Sequence, residues 1–196
     1  MRKILIIGCG GIGGYVAREV NRLILNDQID IDDVEFSVVD NDIVELKNIK
    51  YQNFTKSDLF KNKAKVIGER YCFMDKQKRI NTADELKGFD LIVIAVDNSQ
   101  TRKMVFDYCY NSNADFIDLR AEGRAFAFFT KGKGHAELLQ TLGQTISDEG
   151  SSCQLKYELE AGIIQNGNVV VATIGSQLIL NWLRGENNPT EMRMRI

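Results

Sequence analysis

Ile4-Leu5-Ile6-Ile7-Gly8-Cys9-Gly10-Gly11-Ile12-Gly13 stands almost at the start of the chain, and its reading decides the fold. Four apolar residues in a row, without the alternation of a strand that has one wet face, mark a strand buried on both sides. Gly8, Gly10 and Gly13 then form a G-x-G-x-x-G turn, and Ile12, Val16, Val20, Leu23 and Ile24 recur at helical spacing. That spacing predicts an amphipathic helix over 13–26. In a strand–turn–helix unit the first glycine permits the tight turn. The second lets backbone N–H groups approach a phosphate, and the third lets helix and strand pack closely. The helix N-terminus adds unpaired N–H donors and the positive end of its dipole.

The pattern continues outward from that unit. A second apolar strand over 36–39 ends in Asp40, and a third over 91–96 ends in Asp97. Helices are expected over 63–73 and 101–111, and further strands over 114–119 and 125–129. The longest apolar stretch, 169–183, is interrupted by Thr173, Ser176, Gln177 and Asn181. It falls short of a membrane span and reads as a buried helix. Between 130 and 160 the chain is polar and weakly periodic, which predicts a long crossover-type loop with some helix, of the kind that often carries function. No repeat or linker divides the sequence, so one domain is expected over 1–196. The alternation implies an α/β fold, Rossmann-like and doubly wound, with a largely parallel sheet and helices on both faces. Ligands of such sheets bind beyond the carboxyl ends of the strands, where Gly8, Asp40 and Asp97 all fall.

Composition narrows the chemistry. Among 196 residues, 25 Lys and Arg against 27 Asp and Glu leave a formal charge of −2, which argues against a general nucleic-acid binder. The one histidine, His135, excludes His-rich metal sites and leaves little room for histidine catalysis. Cys9, Cys72, Cys109 and Cys153 are widely separated, with no close-spaced pair for zinc. Cys9, Cys72 and Cys109 read as packing residues, and His135 as a solvated surface residue. Reduced thiols, no signal-like run and no membrane span together imply a cytoplasmic protein.

Two strand-end aspartates and the polar residues around them suggest the ligand. Asp40 stands where a Rossmann-type fold places an acid for ribose hydroxyls, which suits a nicotinamide cofactor equally well. Asp42, Asn48, Gln52, Lys65, Asp97, Asn98 and Arg102 then add a second carboxylate and cations at the same sheet edge. A dinucleotide has little use for these. A nucleoside triphosphate with Mg²⁺ does, because Mg²⁺ prefers carboxylate and phosphate oxygens; Asp97 is then the metal ligand and Lys65 the phosphate partner.

Taken in order, these motifs resemble the ThiF/MoeB/HesA superfamily of ubiquitin-activating-enzyme-like adenylyltransferases. Gly8-Cys9-Gly10-Gly11-Ile12-Gly13 matches its glycine loop, and Asp40 to Asn48 its D-x-D-x-V-x-x-x-N segment. Asp97-Asn98 with Arg102 fits its D-N-x-x-x-R motif, and Lys65 falls where the family has its helix lysine. Gly162-Ile163-Ile164 with the 169–183 helix is similar to its C-terminal segment. The resemblance implies that ATP and Mg²⁺ are bound and that a small carrier protein or peptide is adenylated on its C-terminal carboxylate. Asp40 and Asp42 with Gly8, Gly10, Gly11, Gly13, Asn48, Lys65, Asp97 and Asn98 would hold the nucleotide. Asp97, Lys65 and Arg102 would serve catalysis, with Asp97 on the metal. Cys153 would be the thioester cysteine of the crossover loop, activated by Lys156 or His135. It also implies a homodimer with no nucleic acid or membrane partner. Tyr51 stands where the family has an arginine, zinc-binding cysteine pairs are absent, and Arg2 or Arg18 would replace an arginine supplied by an upstream helix. A non-catalytic nucleotide- or partner-binding module and an NAD-dependent oxidoreductase are the alternatives.

Overall fold

The computed structural model describes residues 1–142 and 154–196. β1 (Arg2–Ile7) leads into α1 (Gly13–Leu25), followed by β2 (Val34–Val39), α2 (Lys63–Tyr71), β3 (Met74–Lys76), β4 (Leu91–Ile94) and α3 (Ser99–Tyr110). Then come β5 (Asp115–Glu122), β6 (Ala125–Thr130), α4 (His135–Gln140), α5 (Lys156–Glu160), α6 (Gly167–Leu183) and β7 (Glu191–Arg195). They build one sheet in the order β3-β2-β1-β4-β5-β6-β7. The first five of these strands are parallel, while β6 and β7 add on antiparallel.

The unbroken apolar run of β1 explains its central place. Ile4 and Ile6 enter one core with Val16 and Val20 of α1 and Ile179 of α6. Leu5 and Ile7 point to the opposite face and pack with Val105 and Phe106 of α3. None of the four is more than 4% exposed, and burying each fully contributes roughly 1.5–3 kcal/mol. Because β2 and β4 flank β1 on its two sides, the chain crosses over in opposite directions there. The crevice this leaves at the carboxyl ends of β1 and β4 is where such sheets bind ligands.

The sheet is largely parallel as expected, and two details differ. The strand expected over 114–119 runs on to Glu122, turns at Gly123 and returns antiparallel as β6, so the sheet is mixed. β3 and β7 were not anticipated. The stretch expected as a loop with some helix over 130–160 contains the short helices α4 and α5, and residues 143–153 lie outside the described residues. No helix of the described residues is long and apolar enough to cross a membrane.

Candidate active site

A cavity of about 700 Å³ opens at the carboxyl ends of β1, β2 and β4. Gly8, Gly10 and Gly11 form one wall, and Asp40, Asp42, Asn48, Asp97, Asn98 and Arg102 line the rest together with residues the motifs did not single out. Gly8 has φ +92°, and a Cβ there would stand 2.7 Å from the Ala95 carbonyl oxygen, so only glycine fits. Gly13 does not line the cavity; it seats α1 against the end of β1.

Asp40 ties two walls together. Its Oδ2 accepts from the Cys9 N–H at 2.7 Å and its Oδ1 from the Asp42 N–H at 2.8 Å. Burial pushes its carboxyl above the ordinary aspartate range, against the pull of those two N–H groups and of Lys63. Each oxygen keeps a further acceptor position.

Of the lysines of α2, Lys63 and not Lys65 lines the cavity. Asn62 caps α2, its Oδ1 accepting from the Lys65 N–H at 3.0 Å, and its Nδ2 donates to the carbonyls of Asp40 and Asp42. That cap fixes Lys63 at the first helical position, where its Nζ meets Asp42 Oδ2 at 3.0 Å and it lines the cavity. Two residues further the helix has turned by about 200°. Lys65 therefore lies outside the cavity lining, half-exposed, with Glu69 at 3.8 Å.

On the other side, Asp97 is exposed at the rim and Asn98 caps α3 by accepting from the Thr101 N–H at 2.7 Å. Arg102 turns inward and donates to Asp118 and to the Val96 carbonyl. Arg120 donates its Nε to the other Asp118 oxygen at 2.7 Å and its terminal nitrogens to Thr141. Asp118 is fully buried and the two arginines nearly so, so the cavity floor holds two guanidinium groups on one carboxylate. Burial and then the like charge of Arg120 push Arg102 down, while burial takes Arg120 to about 10.

Asn48 is buried, with its Oδ1 on the Glu45 N–H at 2.8 Å. Tyr51 is buried and lines the cavity, as does Gln52, whose Oε1 is buried without a partner among the described residues. Behind them Asn168 donates to the carbonyls of Gly11 and Tyr51; nothing in the spacing of the sequence pointed to it. Lys47, Lys78 and Arg79 also reach the cavity lining, whereas Arg2, Arg18 and Lys50 do not. Cys153 lies outside the described residues. Cys9 and Cys109 are buried, and burial pushes both thiols up, that of Cys109 to about 12. Cys72, expected in the packing, is instead exposed as the left-handed cap of α2. His135 is held by Asp107 at 2.8 Å against the Tyr110 ring, away from the cavity. Among the described residues no cluster of three or more His, Cys, Asp or Glu could hold a metal unaided.

Comparison with known proteins shows the family and the fold. The ThiF family model matches residues 1–196. The chain belongs to the ThiF family. It is 24% identical to SUMO-activating enzyme subunit 2 of Dictyostelium discoideum over 173 residues, 82% of this chain and 25% of that protein. It is 24% identical to the tRNA threonylcarbamoyladenosine dehydratase of Haemophilus influenzae over 132 residues, 61% of this chain and 48% of that one. The solved structure of E. coli MccB with ATP has the same fold, with a TM-score of 0.70 and 18% identity over all of this chain and 60% of MccB. This ThiF-family chain thus spans a quarter to about three-fifths of the length of these proteins.

Proposed function

We propose that this protein uses Mg·ATP to adenylate the C-terminal carboxylate of a small carrier protein or peptide. The observation that carries the reading is one cavity joining three things. The first is a glycine loop along one wall, the second is Asp40 braced by the N–H groups of Cys9 and Asp42, and the third is a cation, Lys63 on Asp42, in the same lining as the exposed carboxylate of Asp97. The free acceptor positions of Asp40 suit the two ribose hydroxyls, and the apolar strand ends Ile7 and Val39 with Ile80 in the same lining suit the base. Lys63 and the loop N–H groups suit the phosphates. Lys47, Lys78 and Arg79 supply the positive charge that relatives of the superfamily take from an arginine at the place of Tyr51.

The exposed carboxylate of Asp97 in the cavity lining fits Mg²⁺, which binds through one or two carboxylates plus substrate phosphates rather than an all-protein cage. Asp97 would hold it, and when bound the ion neutralises phosphate charge. The carrier carboxylate, already ionised, attacks the α-phosphorus as the bond to pyrophosphate breaks, giving an acyl adenylate. The chain has to orient the reactants and stabilise charge, and needs no general base. That accords with a sole histidine committed to Asp107.

Relatives support the reading in kind: a SUMO-activating enzyme subunit by sequence, and MccB solved with ATP and with AMPCPP and MccA by fold. By resemblance we also propose a homodimer and a cytoplasmic location; light scattering tests the first. The deciding assay is exchange of labelled pyrophosphate into ATP, dependent on Mg²⁺ and on a Gly-Gly-ended carrier, and abolished by Asp97→Ala. Binding of Mg·ATP without exchange with any such carrier favours a non-catalytic module. Thermal stabilisation by NAD alone sinks the ATP reading.

A further inference from the structure

We propose that Asn168 is the positioning residue of the phosphate loop, and that Gln154 links it to the chain that follows residue 153. Asn168 is the second residue of α6 and 1% exposed. Its Nδ2 donates to the Gly11 carbonyl at 2.9 Å and to the Tyr51 carbonyl at 3.0 Å. Both hydrogens of the amide are thereby used, and both acceptors belong to residues that line the cavity.

The Gly11 contact has a directional consequence. A trans peptide is planar, with its C=O and its N–H pointing opposite ways. Holding the Gly11 carbonyl toward α6 turns the N–H of Ile12 away from α6. Ile12 lines the cavity, and its N–H makes no hydrogen bond among the described residues. It is a phosphate donor aimed from behind by a side chain that touches no ligand.

On its other side Asn168 Oδ1 accepts from Gln154 Nε2 at 3.5 Å. Gln154 is 2% exposed and grips the backbone of Gln165 at both ends, donating to its carbonyl at 2.7 Å and accepting from its N–H at 2.9 Å. The buried amides thus run from the crossover segment to the glycine loop. α6 is otherwise anchored by apolar residues such as Val171 and Ile179, so its packing does not call for an amide at this place.

The inference rests on the ATP reading, because the anion turned toward Ile12 is taken to be the nucleotide phosphate. Its test measures the affinities of the full chain for Mg·ATP and for adenosine by calorimetry, beside the melting temperature. Asn168→Ala is expected to weaken Mg·ATP about tenfold, the loss of a well-directed charge-assisted donor, and to leave adenosine unchanged. A merely structural role moves both ligands together, and that parallel loss, or no loss, overturns the proposal. If Asn168→Ala does not fold, Gln154→Ala leaves the Gly11 contact in place and is expected to show the same split at smaller size; equal loss there overturns it too. A wild-type chain that binds neither ligand fails the ATP reading itself, before any variant is compared.

Discussion

Replacing Gly13 by alanine separates the two duties of the glycine loop. A Cβ at Gly13 stands 1.8 Å from the Gly8 carbonyl oxygen, 2.9 Å from the Gly8 carbonyl carbon and 3.3 Å from Ala95 Cβ. Even a close carbon–oxygen contact needs about 3.3 Å, so the turn must open by more than an ångström. The obstacle is backbone, pinned in place by the Gly8 N–H on the Val39 carbonyl at 2.9 Å, and no rotamer relieves it. Overpacking costs typically about 1–3 kcal/mol, and a backbone obstacle puts Gly13→Ala at the upper end. A chain of this size loses about 2–4 °C in Tm per kcal/mol, so the melt falls by about 6–12 °C. Gly10→Ala is the control. Its Cβ meets only the Gln52 amide, at 3.9 and 4.0 Å, and its φ lies outside the left-handed region. Alanine there also restricts the unfolded chain, worth up to about 0.4–1 kcal/mol in favour of folding. Gly10→Ala therefore melts at or slightly above wild type, yet its methyl stands in the cavity and reduces the stabilisation given by Mg·ATP. Circular dichroism melts with and without Mg·ATP check both. A Gly13→Ala melt within about 2 °C of wild type, or a Gly10→Ala melt as low as that of Gly13→Ala, refutes the reasoning.

Lys63→Ala should lower pyrophosphate exchange about ten- to a hundredfold, the equivalent of one charge-assisted contact; Lys65→Ala should stay near wild type, since its exposed i,i+4 pair is worth about 0–1 kcal/mol. Asp118→Asn leaves two buried guanidinium groups without their anion, a loss of about 3–5 kcal/mol, and denaturant titration should show it even without ligand. Asp58 reports on acid stability. Burial raises its carboxyl, but the Thr55 N–H, the Arg70 guanidinium at 2.6 Å and the Thr55 hydroxyl together hold it below its ordinary value. A lowered folded pKa gives stability above the unfolded value, about 3.9, and that stability is lost as pH falls through the folded value. The gap between wild type and Asp58→Asn should hold from neutral pH to about pH 4 and close below it; a gap that stays constant into acid contradicts the assignment.

What could be read from the sequence is what burial writes into it. β1 over 4–7 and β4 are wet on neither face, so their apolar runs are continuous, and α1 shows its apolar stripe because only one side meets the sheet. β3 escaped notice because three residues, with Met74 and Asp75 exposed, earn their place through pairing with Ser37 and Val39 of β2 rather than through apolar content. β7 is an edge strand of alternating Met and charge that stays largely exposed. The lysine was misplaced by two residues for a different reason. Motif spacing alone does not fix helical phase; the cap does, and Asn62 ahead of an apolar-periodic run was the available signal. Asn168 and Asp118 left none. A polar residue opening a helix or inside a strand looks ordinary until the fold brings Gly11 and Tyr51, or Arg102 and Arg120, against it.

The charge balance shows why such hidden pairings matter to the site. The chain as a whole carries −2, yet six basic side chains against four acidic ones line the cavity. Part of that excess is exposed: Lys47 is 70% exposed beside Glu45, and Arg79 faces solvent. Added salt screens such charges beyond a Debye length of about 8–10 Å. The remainder belongs to Arg102 and Arg120, where a single carboxylate serves two buried guanidinium groups. Buried charges are screened far less, and their field acts through a low-dielectric floor directly on whatever occupies the cavity. On the proposed reading, exposed lysines would set how fast an anion is drawn in, and the buried triad how firmly it is held once water has left. A polyanionic ligand is therefore expected to keep much of its affinity at ionic strengths that erase the attraction of the surface, even though the protein is acidic overall.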